Sequence, residues 1–474
     1  MMINKVAICP ICGKKTWLRI QDGGYLNEYP IRVNCMNCRA LIKGTYVMEP
    51  NSNMRGLNMV NAEIEECDAE QVGQNVIVKN AEYIAEISGE LPCYNVRKYE
   101  GDLPLSPFMR STNYLEDVTK RIDRLSYFAT NMKEWKKQKS IAFQLLDEGS
   151  IEYIATALKN KMGNYQYECD NYLKALHCLQ EVVLEETKYL FVTPTQDECI
   201  VNLFQKLALL DQEKILALTE QMGGIEGIVQ SYKKAIEVFS NFMRIYPNIL
   251  PAETYIWFTS CLDNDMGIAT CSFADLKSFY QDAYESLMSL FMVPVCLDNI
   301  NERDNYISFE QTFKGLFRQK KFSDCTDDYQ RYLILDNGMK IKKINTTSFF
   351  QKEVNIPANR FLRNGIGHNN IKYDGLTQTI SAYDLKDHDK INYETSLMNM
   401  AIDCIGLAKA SVTISEMLLF LLRLEFRKEG IRSIVHPRIY KGAEPNFKCP
   451  CGSGIKYKKC CKKEFELLKR SNNP

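Results

Sequence analysis

Histidine is nearly absent from this chain. Only His177, His368, His388 and His436 occur in 474 residues, so chemistry that needs an imidazole has four places to sit. Net charge is absent as well, with 59 Lys and Arg against 59 Asp and Glu. Attraction of the whole protein to nucleic acid is thereby excluded, and any such binding must rest on a local patch. Long apolar runs are lacking too. The best two, Leu287 to Leu297 and Met417 to Leu422, are short and are interrupted by Pro294 or closed by Arg423, so no membrane span is expected. The first ten residues carry one lysine and no extended apolar stretch, which does not read as a signal peptide. The expectation is a soluble, cytoplasmic protein. There is no GxxxxGK[ST] loop and no GxSxG elbow, so neither an NTPase nor an α/β-hydrolase is supported.

What is present is ordinary globular composition, 45% hydrophobic and 25% charged, over a length that suggests about three domains. Cysteine is abundant, at 18 residues, but a chain this long and helical is not a disulfide scaffold. Eight of the cysteines fall into two clusters near the ends, and the other ten are scattered and read as reduced, packed residues.

Five segments follow from the patterning. Residues 1–48 form a compact module with β-prone pieces at Thr16 to Ile20 and Ile31 to Asn34. Residues 49–110 are a mixed β connector with a strand-like run from Asn75 to Lys79. Residues 111–250 have helical periodicity, broken at Gly223 and Gly224. Residues 251–435 are again helix-rich, with helices at Phe273 to Phe291, Ala358 to His368 and Tyr393 to Lys428, and a hairpin from Lys372 to Tyr383. Residues 436–474 are a linker and a terminal module. The fold class expected is mainly α: helical bundles with a small metal module at each end.

At the N-terminus, Cys9-Pro10-Ile11-Cys12-Gly13 is followed 22 residues later by Cys35-Met36-Asn37-Cys38. Two thiolates separated by two residues grip one face of a tetrahedral metal, and the spacing between the pairs is close to that of zinc ribbons. Four protein ligands leave no open position, so a structural rather than catalytic Zn2+ is expected.

At the C-terminus, Cys449-Pro450-Cys451-Gly452-Ser453-Gly454 runs to the adjacent pair Cys460-Cys461. This stretch resembles the SEC-C motif found at the end of the bacterial protein-translocation ATPase and on many other bacterial proteins. The resemblance implies a second structural Zn2+ held by Cys449, Cys451, Cys460 and Cys461. One departure is Ile455, where the family usually has a basic residue. Asn446 to Lys463 holds six lysines and no carboxylate, a footprint suited to RNA, the ribosome or an acidic protein surface.

A third feature is Arg360-Phe361-Leu362-Arg363-Asn364-Gly365-Ile366-Gly367-His368. It resembles the RNxxxH form of the Arg-X4-6-His motif of HEPN-domain ribonucleases. The resemblance implies a homodimeric, metal-independent endoribonuclease with Arg363, Asn364 and His368 as catalytic residues, and a role in bacterial antiviral defence or a toxin system. The residue types suit that chemistry, since His368 can move a proton near neutral pH and Arg363 can hold phosphorane oxygens. From one straight helix, however, Arg363 and His368 point about 140° apart and reach a common phosphate poorly. The acidic residues around His388 and at Asp263 to Asp265 read as exposed loops. The rival reading is a zinc-dependent adaptor that binds nucleic acid or protein and catalyses nothing.

Overall fold

A computed structural model describes residues 2–21, 26–49, 55–72, 75–101, 103–115, 123–126, 140–158, 169–190, 194–258, 265–357, 359–431, 440 and 442–471. His436, Asp263 and Asn264 lie outside them. The described residues are about 51% helix, in 17 helices, and about 19% strand. The mainly helical expectation is therefore right for helix content and incomplete for strands, of which there are fifteen among the described residues.

Two compact units emerge, each assembled from three chain segments. Unit 1 comprises Met1–Ala129, Asn241–Gln281 and Asn359–Ile405. Its N-terminal part contains β1 (Met2–Ile8), β2 (Lys15–Gln21), β3 (Glu28–Asn34), β4 (Leu41–Met48), β5 (Arg55–Met59) and β6 (Glu63–Glu65). These are followed by β7 (Ala69–Val72), β8 (Asn75–Val78), β9 (Tyr83–Ser88), β10 (Cys93–Tyr94) and β11 (Arg97–Lys98). One sheet has the order β11-β9-β2-β1-β6 and another the order β3-β4-β5. The parallel pairing of β2 with β9, Thr16 opposite Tyr83 through Gln21 opposite Ser88, knits the first 48 residues to the segment that follows. Six of the seven residues of β2 are buried, so it lacks the apolar-polar alternation that marks a one-faced strand.

Between β2 and β9 lies a buried ionic cluster. Glu86 accepts from Arg110 Nη2 and, at 3.3 Å, from Arg19 Nη1, and Arg110 also lies 4.0 Å over the Tyr94 ring. Burial lowers the Arg19 pKa, against the pull of Glu86. The remainder of unit 1 holds β12 (Met266–Gly267), which pairs with β10, and the antiparallel sheet β13 (Ile371–Asp374), β14 (Thr379–Tyr383) and β15 (Ile391–Ser396). The hairpin expected at Lys372 to Tyr383 is thus two strands of three, and Tyr393 stands in β15 rather than in the long helix, which begins at Leu397.

Unit 2 comprises Thr130–Ser240, Asp282–Ala358 and Gly406–Pro474 and is built of helices. Helix Gln212–Gln221 is capped by the Asp211 carboxylate and ends at Gly223 and Gly224, both left-handed at φ 94° and 63°. An aromatic cluster of Phe309, Phe313, Phe317 and Tyr332 packs with ring centroids 5.3–5.9 Å apart. Buried Asp298 accepts from the Phe350 and Gln351 N–H groups at the start of helix Phe349–Val354, and burial raises its pKa to about 6.

Helix Leu397–Lys428 corrects one expectation. An 18-residue window in it has a mean hydropathy of 1.7, apolar and long enough for a bilayer, yet 83% of that window is buried inside the protein. A core helix of this composition needs no membrane to cover it.

Candidate metal centres and the Arg363 to His368 helix

The N-terminal cluster is made by two hairpin turns of one design. In the β1–β2 turn, Cys9 N–H donates to Lys14 O at 2.9 Å and Gly13 N–H donates to Cys9 O at 3.0 Å. In the β3–β4 turn, Cys35 N–H donates to Ala40 O and Arg39 N–H donates to Cys35 O, both at 2.8 Å. Arg39 therefore stands where Gly13 stands, and both are left-handed with φ 66°. Arg39, one residue after the second Cys pair, thus adopts a left-handed conformation with no glycine to mark it in the sequence.

The turns bring Cys9 Sγ within 3.5 Å of Cys38 Sγ and Cys12 Sγ within 3.6 Å of Cys35 Sγ. All four ligand atoms lie within 4.8 Å of one another. Sulfurs at the corners of a tetrahedron around zinc, with bonds of about 2.3 Å, are about 3.8 Å apart, so the four fit one such ion. The Lys14 backbone N–H pulls the Cys12 thiol down to about 6, while burial pushes Cys35 up to about 12.

The C-terminal cluster is local. Cys451 Sγ lies 3.6 Å from Cys460 Sγ, which is 3.6 Å from Cys461 Sγ, and again all four ligand atoms fall within 4.8 Å. Cys449 N–H donates to Ile455 O at 2.7 Å, closing the Gly-Ser-Gly turn, and Gly452 and Gly454 are left-handed with φ 77° and 67°. The turn is seated on unit 2. Gln212 Nε2 donates to Gly452 O at 2.5 Å, and a Cβ at Gly452 would meet Leu424 Cδ2 at 2.9 Å. Tyr440 and Tyr457 stack with centroids 5.6 Å apart, giving the module a small core of its own. Around it Lys448, Lys456, Lys458, Lys459 and Lys463 are exposed, and none has an ion pair among the described residues.

Of the eight other described cysteines, six are buried and none is in a disulfide. His388 is exposed in a loop, with Nδ1 3.3 Å from Asn370 Oδ1. His177 is buried and accepts from Arg423 Nε at 2.9 Å. No third group of metal ligands exists among the described residues.

Helix Arg360–Gly367 carries the remaining candidates. Asn359 caps it, accepting from the Phe361 and Leu362 N–H groups, and His368 forms its C-terminal cap. His368 is exposed, and Arg363 and Asn364 are half-buried. Arg363 Nη1 lies 3.3 Å from Asn364 Oδ1 and within 3.8 Å of the Cβ position of Gly367. The guanidinium thus lies beside Gly367, its i,i+4 neighbour and the last residue of the helix before His368. Gly365 has a packing reason, because a Cβ there would meet Ala382 Cβ on β14 at 2.9 Å.

Residues 447–463 match the SEC-C motif. No curated protein and no solved structure matches the chain.

Proposed function

We propose that this protein is a zinc-stabilised adaptor that binds nucleic acid, RNA foremost, through the lysine-rich face of its SEC-C module. The carrying observation is the set of five exposed, unpaired lysines on a segment held by four converging sulfurs and docked on unit 2. A fixed basic face exchanges counterions for phosphates at a smaller entropic cost than a free tail. The N-terminal cluster holds the second zinc and ties two hairpins together. None of the described cysteines is in a disulfide, which suits a reducing, cytoplasmic setting. An acidic protein surface, including one on the ribosome, would use the same face.

The test is fluorescence anisotropy on single-stranded RNA across a salt series. Wild type should bind with strong salt dependence, and a Lys456→Ala, Lys458→Ala, Lys459→Ala triple variant should lower the slope of log K against log salt by about 2. Salt-independent binding, or an unchanged slope, would overturn the reading. Metal analysis of the purified protein should give two zinc ions per chain.

A second reading, a HEPN-type endoribonuclease acting as a homodimer in defence or as a toxin, is favoured by one observation: the Arg363 guanidinium turns toward the exposed His368 end of its helix. In that reading His368 takes the 2′-hydroxyl proton or protonates the leaving 5′-oxygen. Arg363 holds the phosphorane charge, and Asn364 orients Arg363. His368→Ala and Arg363→Ala should each abolish EDTA-resistant formation of 2′,3′-cyclic phosphate ends while zinc content stays at two. Intact cleavage by both variants would remove these residues from the chemistry.

A further inference from the structure

A cavity of about 410 Å³ lies within unit 1, between β3, the start of helix Phe273–Leu290 and the β13–β14 turn. Its volume is that of a small-molecule site. The walls have a distinct chemistry. Phe273 and Tyr373 stack on one side, with centroids 4.8 Å apart and planes at 16°. Arg32 and Arg39 supply two positive charges, and Asp374 the one carboxylate. Arg39 Nη1 is paired with Asp374 Oδ2 at 3.1 Å, which leaves Arg32 as the uncompensated charge.

Arg32 has no ion pair among the described residues and is half-buried. Its cross-strand neighbour on β4 is Lys43, another cation. Like charges directly opposite in a sheet are destabilising, so this pair is better tolerated with an anion beside it. Burial raises the pKa of the Tyr373 phenol and the Cys271 thiol, and the nearby Arg32 charge acts against both rises. Gln378 is already spent, since its amide donates to Ile268 O and accepts from Ile268 N–H. Recognition therefore falls to a cation and an aromatic wall.

We propose that this cavity binds a small aromatic ligand carrying one anionic group, of the nucleoside monophosphate class, with phosphate on Arg32 and the base against the Phe273–Tyr373 pair. This site is distinct from the lysine-rich face and stands if that face binds nothing.

Calorimetric titration of the full, zinc-loaded chain with AMP, GMP, CMP and UMP tests it, with adenosine and inorganic phosphate as partial ligands. The expected result is one saturable site for at least one monophosphate. Adenosine and phosphate alone should each bind at least about tenfold more weakly, and Arg32→Gln should lose about tenfold or more. The proposal is overturned if no monophosphate binds the wild type or if Arg32→Gln binds as tightly. Should Arg32→Gln fail to fold, the wild-type series decides, because adenosine or phosphate binding as well as the best monophosphate also overturns it.

Discussion

The two four-cysteine clusters have similar sulfur geometry and opposite construction. The N-terminal site draws Cys9 to Cys38 across 29 residues, joining the turns of two hairpins whose strands lie in different sheets. The C-terminal site takes all its ligands from a 13-residue stretch that closes on itself. A metal that closes a long loop removes more freedom from the unfolded chain than one that closes a short loop. The first site therefore acts on the folding of unit 1, and the second on the seating of its own module.

The sharpest way to break that contrast is to remove one sulfur from each. Cys9→Ser should lose one zinc and most of the thermal stability of unit 1, since structural zinc contributes on the order of 10 kcal/mol to small metal domains. Cys460→Ser should lose the other zinc, loosen residues 447–463 and leave the main unfolding transition within a few degrees. Calorimetry with metal analysis reads both, and equal losses would show that the clusters are equivalent.

Next in size is Glu86→Gln, which strands Arg19 and Arg110 at buried positions beside β2. It should cost about 3–5 kcal/mol in denaturant unfolding without releasing metal. A loss of zinc would mean that the sheet and the N-terminal knuckles share one stability.

Clusters loaded with metal should lose it as acid protonates their thiolates, so a background titration must be separated from them. Half-buried Asp403, raised to about 6 by burial, runs the opposite way. Its protonated form favours the folded state, so its contribution is full below the unfolded pKa near 3.8 and is lost as pH rises through about 6. Asp403→Asn should match wild type at pH 4 and exceed it by about 1–3 kcal/mol above pH 7. Equal stability at both pH values would show that Asp403 does not titrate with folding.

The smallest effects come from the turn glycines. Gly13→Ala has open space and should cost only the left-handed strain, about 1 kcal/mol. Gly452→Ala adds the contact with Leu424 and should cost about 2 kcal/mol, read as faster proteolysis of the C-terminal module. Equal costs would mean that the module is not seated on Leu424.

Much of this was legible along the chain. The Cys pairs of both ligand sets, the Gly223–Gly224 break and the turn after Asp374 are local patterns, each set by residues a few positions apart. The strand content of unit 1 was harder to read. In β2 the buried residues run on continuously because the strand is covered on both faces, and its partner β9 lies 67 residues away.

By itself the amino-acid sequence determined which atoms could grip metal and where helices stop, before Gly223 and before Gly430, because thiolate spacing and capping act within a few residues. Only the tertiary structure decided that Arg39 repeats the role of Gly13, that the terminal module is docked rather than trailing, and that Arg32 faces a cavity whose one carboxylate, Asp374, is paired with Arg39. The docking and the cavity depend on long-range pairing and burial, which bring together residues up to 335 positions apart, Arg39 and Asp374 among them, and have no local signature to read.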